Sequence, residues 1–238
     1  MRDTLKTVEH WVNMNISFED DWEFHNEMLD EMIATDGEDS ESAKRARLFL
    51  KADCIGRICD LYSSGSSIEE IVRIFPTLVD LMTKTWSSND SSYIELMWVF
   101  SLGVLLNAPA EDFEALHNKL KDEEYNDFLI DYLFEHIVKT EINIDSELMF
   151  ASPYEYLISA IHTDSKEDAT VIIKTYVQKI WYQGHSDAGW HNSHKKKDGF
   201  YHGYWSFEAA AIAKILSVND TGWENMQYYP YDLVHYTD

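Results

Sequence analysis

The sequence predicts an all-α protein: an irregular multi-helix array of stacked helix pairs, with an aromatic C-terminal tail docked on the body. Three observations predict it. Apolar residues recur at helical rather than alternating spacing through most of the 238 residues. Only nine Gly and four Pro are present, too few to punctuate a turn-rich β fold. Hydrophobic residues make up 45% of the chain and aromatics 14%, enough to fill a packed interior, which argues against global disorder. At this length the chain forms one large helical domain or two smaller layers sharing a core.

The elements follow in order. Leu5, Val8, Val12 and Ile16 begin one apolar stripe, and Phe18, Trp22, Leu29 and Ile33 carry a second. Ser17 and Asp20 have the spacing of a capping box, so this stretch is one long helix or two. The acidic Gly-Glu-Asp-Ser at 37–40 reads as a loop. Leu48, Ile55, Cys59 and Tyr62 resume the pattern up to a stop at Ser63-Ser64-Gly65. Ser67 with Glu70 forms the next capping box, opening a helix that Pro76 should kink or divide.

Glu95–Leu106 is apolar nearly all round and is predicted to be a central, buried helix. Pro109 sits at a favoured helix start, and helical patterns follow over Glu111–Leu120 and Glu123–Lys139. The polar segment Thr140–Glu147 marks the boundary between an N-terminal region, 1–140, and a C-terminal region, 148–238. Ser165 with Asp168 caps a pattern through Ala169, Ile172, Ile173, Tyr176 and Ile180. Residues 184–203 read as a loop rich in His, Gly and Lys.

The last helix, Tyr204–Leu216, has almost no solvent face. Trp205, Ala209, Ile212, Ala213 and Leu216 keep the helical spacing, and Phe207, Ala211 and Ile215 widen the stripe. Pro230 bars its continuation. The tyrosines at 228, 229, 231 and 236 would be poorly used in water, so the tail should dock back on the body, although partner contact is the other use of such a patch.

Charge bounds the function. The formal net charge is −24. Between Lys6 and Arg45 the only Lys or Arg is Lys44, while Asp20, Asp21, Glu23, Glu27, Asp30 and Glu31 crowd one part of the interval and Asp36–Glu41 another. Such a field repels phosphate backbones, so nucleic-acid binding is disfavoured, and it attracts a strongly basic protein. Its plain alternative is a solvated acidic face. Lys195-Lys196-Lys197 is too isolated to reverse this. Cys54 and Cys59 are five apart on a helix, so they face apart and read as reduced core residues. The N-terminus lacks the apolar run of a signal peptide, and the longest uncharged stretch, Leu96–Ala110, is too short to span a bilayer. A cytoplasmic protein without membrane contact is expected.

Two groups invite a catalytic reading. His185, His191, His194 and His202, with Asp187 and Asp198, offer atom types that zinc accepts. Their spacing matches no metal motif and the lysine run opposes a cation, so no metal and no cofactor is assigned. Glu208 lies on an apolar helix with no charge nearer along it than Lys214. With no second carboxylate or nucleophile at a supporting spacing, it reads as a buried structural acceptor.

The run Gly203–Leu216 (GYWSFEAAAIAKIL), followed by Tyr228–Tyr236 (YYPYDLVHY), resembles the C-terminal region of the PoNi-type immunity proteins, which neutralise polymorphic DNase toxins delivered between bacteria. Trp190-His191-Asn192-Ser193-His194-Lys195 is similar to the stretch before that family's final helix. Asp60–Gly65 and Ser101–Leu106 are similar to marks of its N-terminal region. The resemblance implies an all-helical, non-catalytic protein whose partner is a cognate DNase toxin met in the cytoplasm. Within it, His194, Trp205, Glu208, Tyr229, Pro230 and Tyr231 are structural marks. Charge then points to Asp20, Asp21, Glu23, Glu27, Asp30 and Glu31 as the toxin-binding face. The competing readings are a helical scaffold for another basic protein and a metal-dependent hydrolase using the His-rich loop.

Overall fold

The computed structural model describes residues 1–88, 92–140, 144–196 and 200–237. The fold is all-α, and no strand occurs among these residues. Contacts gather the chain into two compact units. Unit 1 holds residues 1–90 and takes back 192–203; unit 2 holds 91–191 and 204–238.

Unit 1 is built from α1 (Val8–Asp36), α2 (Glu41–Ser64) and α3 (Ile68–Thr85), with α1 packed on α2 and α2 on α3. α1 is one helix. Thr7 caps its start by accepting from the His10 amide, and no Gly or Pro interrupts it before Gly37. Ser17 opens no second helix, because its hydroxyl donates to Asp21 Oδ2 within the same helix at 3.2 Å. α2 ends at Gly65, whose left-handed φ of 90° suits glycine and lets the Met1 amino group lie where a Cβ would be. Glu70 closes the start of α3 by accepting from the Ser67 amide at 3.3 Å.

α3 is not divided at Pro76. The proline lies on the exposed side, where water can serve the carbonyl it leaves without a donor, while Phe75, Leu78 and Val79 bury the other side. The stripe of Leu5, Val8, Val12 and Ile16 faces solvent, and Trp11 alone is buried in α1.

The returning segment completes unit 1 around Asp60. His202 Nδ1 meets Asp60 Oδ2 at 3.0 Å, and the His202 carbonyl accepts from Ser63 Oγ at 2.8 Å. Tyr201 donates its hydroxyl to Asp3 at 2.5 Å and offers its carbonyl to His10 at 2.8 Å. Gly56 makes room: a Cβ there would lie 2.8 Å from the His202 ring.

Unit 2 is centred on α4 (Tyr93–Leu105) and α10 (Phe207–Leu216), which pack on each other. Phe207 through Ala213 are all buried, as are most of α4's residues from Leu96 onward. Around them stand α5 (Glu111–Asp122), α6 (Phe128–Val138), α7 (Ala151–His162) and α8 (Lys166–Thr175). The pattern read over Glu123–Lys139 starts as a helix only at Phe128. Asp127 caps it, accepting from the amides of Leu129 and Ile130 at 3.0 and 3.1 Å. A π turn, Tyr176–Ile180, joins α8 to the short α9 (Trp181–Gly184).

The tail docks within unit 2. Tyr228 stacks on Tyr182 with ring centroids 5.1 Å apart, and Tyr229 is buried and donates to Asp220 at 2.9 Å. The short helix α11 (Tyr231–Val234) returns to α10, where Lys214 Nζ donates to the Tyr236 carbonyl at 3.1 Å. Cys54 and Cys59 are free, buried thiols, and burial pushes Cys54 up to about 12.

Candidate partner-binding surface

The acidic residues lie on α1, and helical spacing sorts them. Asp20, Glu23, Glu27, Asp30 and Glu31 repeat at three and four residues and are all exposed. None has a lysine or arginine partner among the described residues. Asp21 turns towards α2, is half-buried and is engaged by Ser17. α1 and α2 run antiparallel, as the pairs Asn15–Arg57 and His25–Asp53 show. Arg57 is spent inside this seam. It donates to Asn15, lies over the Phe18 ring at 4.8 Å and stands 3.9 Å from Glu19.

Farther along the seam, His25 Nδ1 and Asp53 Oδ2 are 2.6 Å apart. Burial pushes the Asp53 carboxyl above its ordinary value; His25 pulls it down and Asp21 adds a smaller upward push. His25 also stacks on Phe49, centroids 5.0 Å apart, and lies 5.5 Å from Phe24. Both phenylalanines are exposed, Phe24 by 61% and Phe49 by 50%. Sequence reasoning missed this row. The available signal was that Phe24 falls off the stripe of Phe18, Trp22, Leu29 and Ile33, so no core claims it.

The histidines of the loop are dispersed among separate partners. His185 accepts from Tyr154 at 2.9 Å through Nε2 and donates from Nδ1 to the Trp181 carbonyl at 2.6 Å, which fixes its tautomer. His191 stacks on Tyr182, His194 meets the Tyr201 ring edge-on and His202 holds Asp60. No group of three or more His, Cys, Asp or Glu among the described residues is placed to hold a metal ion. Lys197 and Asp198 lie outside the described residues.

Glu208 is 1% exposed, and its Oε1 accepts from Tyr176 at 3.0 Å and Ser206 at 2.9 Å. Trp205 and Pro230 are buried beside it in sequence and in the tail respectively, and Tyr231 is half-buried. These residues form bonds and packing within unit 2, while the exposed charge and the exposed rings share the surface of unit 1.

The comparisons with known proteins cover nearly the whole chain. The family model described as "PoNe immunity protein (PoNi), N-terminal" matches residues 2–118, and that described as "PoNe immunity proteins (PoNi), C-terminal" matches 125–233. No curated protein matches. Among solved structures, the crystal structure of protein PA2201 from Pseudomonas aeruginosa is similar in fold. Its TM-score is 0.64 at 18% identity, covering 93% of this chain and 87% of that one.

Proposed function

The chain belongs to the family of PoNe immunity proteins, and on that premise we propose that it binds and neutralises a cognate DNase toxin by laying the acidic face of α1 against it. The observation that carries this reading is the unpaired, exposed set Asp20, Glu23, Glu27, Asp30 and Glu31 on one helix face. A nuclease needs a positive groove to hold DNA, and an acidic helix competes for the same electrostatic site. The protein acts by stoichiometric binding, without catalysis of its own, in the cytoplasm of the cell it protects. No helix among the described residues is long and apolar enough to cross a membrane.

The test is a quadruple variant, Asp20→Asn, Glu23→Gln, Glu27→Gln and Asp30→Asn, measured against a catalytically inactive form of any nuclease found encoded beside this chain's gene. Association should slow, and its dependence on salt should flatten. Unchanged affinity with an unchanged salt slope removes this surface from the mechanism. Failure of the intact protein to protect cells from that nuclease removes the immunity reading against it.

A further inference from the structure

We propose that Phe24 and Phe49 are the anchor of this surface, and that they receive the side chains of arginine or lysine residues from the basic partner. The inference rests on the reading of α1 as the toxin-binding face and adds what holds the complex once formed.

Three observations converge. The rings are large, apolar and exposed, although α2 buries Leu50, Cys54 and Ile58 elsewhere on its surface. They are also held in place: His25 stands between them, stacked on Phe49, and its own ring is fixed by Asp53 at 2.6 Å. A preset aromatic row loses little side-chain freedom on binding. Finally, the surround is anionic. Asp20 and Glu27 stand one turn before and after Phe24 on the same face, with Glu23 beside it. Arg45, one turn before Phe49, is the cation at the far edge of the row.

An apolar partner surface would gain from the rings but meet uncompensated carboxylates. A cationic side chain satisfies both, its charge drawn to the acids and its head or stem laid on a ring face. Division of labour follows. The exposed carboxylates accelerate encounter, and the rings, once desolvated, slow departure.

The experiment measures association and dissociation rates for the inactive nuclease with intact protein, Phe24→Ala, Phe24→Ala/Phe49→Ala and Phe24→Leu/Phe49→Leu. The single variant at the more exposed ring guards against a folding defect in the pair, and thermal melts verify each. The double alanine variant should dissociate at least about 10-fold faster, with association within about twofold of intact protein. The leucine pair, which keeps apolar area but has no ring face, should recover less than half of that loss on a logarithmic scale. Dissociation unchanged in both alanine variants overturns the anchor and leaves the charged face standing. Full recovery by leucine overturns cation recognition. An intact protein that does not bind the nuclease overturns the family-based reading and this inference with it.

Discussion

Tyr176 donates a hydrogen bond to Glu208 at 3.0 Å, joining the first residue of the π turn to the first turn of α10. The π turn widens the helix locally where α8 ends, and π turns of this kind recur where a side chain must be re-aimed. Ser206 supplies a second donor to the same oxygen at 2.9 Å, while Glu208 Oε2 is buried without a protein partner. Glu208→Ala leaves two buried hydroxyls without their acceptor and is expected to cost about 1–3 kcal/mol. Glu208→Gln keeps an accepting oxygen and should cost less. Urea unfolding of both variants checks this; an alanine variant within about 0.5 kcal/mol of the intact protein would deny Glu208 its structural role.

Gly103 belongs to the Ser101–Leu106 mark and has a steric reason to be glycine. A Cβ there would lie 2.5 Å from Phe113 Cζ and 2.8 Å from Ile137 Cδ1, and both of those side chains are buried. Gly103→Ala should therefore destabilise by about 1–3 kcal/mol through overpacking, despite the better helix propensity of alanine. Adding Phe113→Leu to it should return part of the loss. A Gly103→Ala protein as stable as the original in urea would contradict the packing of α4 described above.

Asp60 gives a prediction in pH. Burial raises its carboxyl above the ordinary 3.8, and the bond to His202 offsets part of the rise. Above 3.8, and up to its own raised pKa, the folded state holds a proton that the unfolded state has released. The contribution of Asp60 to stability therefore falls as pH rises through that window and stays at its lower level beyond it. Asp60→Asn, which still offers an oxygen to His202, should gain stability relative to the intact protein as pH increases from 4 to 8. Melting both proteins across that range tests the sign, and a variant that loses stability relative to the intact protein as pH rises refutes it.

How much was legible varied with what each residue had to face. α4 and α10 were readable because a helix apolar on all sides must be interior whatever packs against it. The start of α6 was not, because Asp127 looks like one more charge in a charged stretch until Leu129, Ile130 and Met149 are seen donating to it. Periodicity found the stripe of Val8, Val12 and Ile16 but not its environment, since spacing shows that a face exists and not that another element covers it. Among the acids, helical geometry put Asp20 and Glu23 outward and Asp21 inward, a distinction that a one-dimensional charge run does not contain. Glu208 was recognisable as an isolated acid on an apolar helix, but its donor Tyr176 arrives through a π turn that no residue pattern announces.

The return of residues 192–203 to unit 1 makes its completion a matter of timing during synthesis. Helices α1 to α3 leave the ribosome first, yet the partners of Asp3 and Asp60, namely Tyr201 and His202, are translated more than a hundred residues after α3 ends. At bacterial elongation rates of about 5–20 residues per second the wait is roughly 6–23 s. During that interval the early part of the chain should be open to protease attack, and limited digestion of nascent chains stalled before and after residue 202 would reveal the change. The early helices are thus held by their full set of contacts only after residues far downstream in the chain have been made.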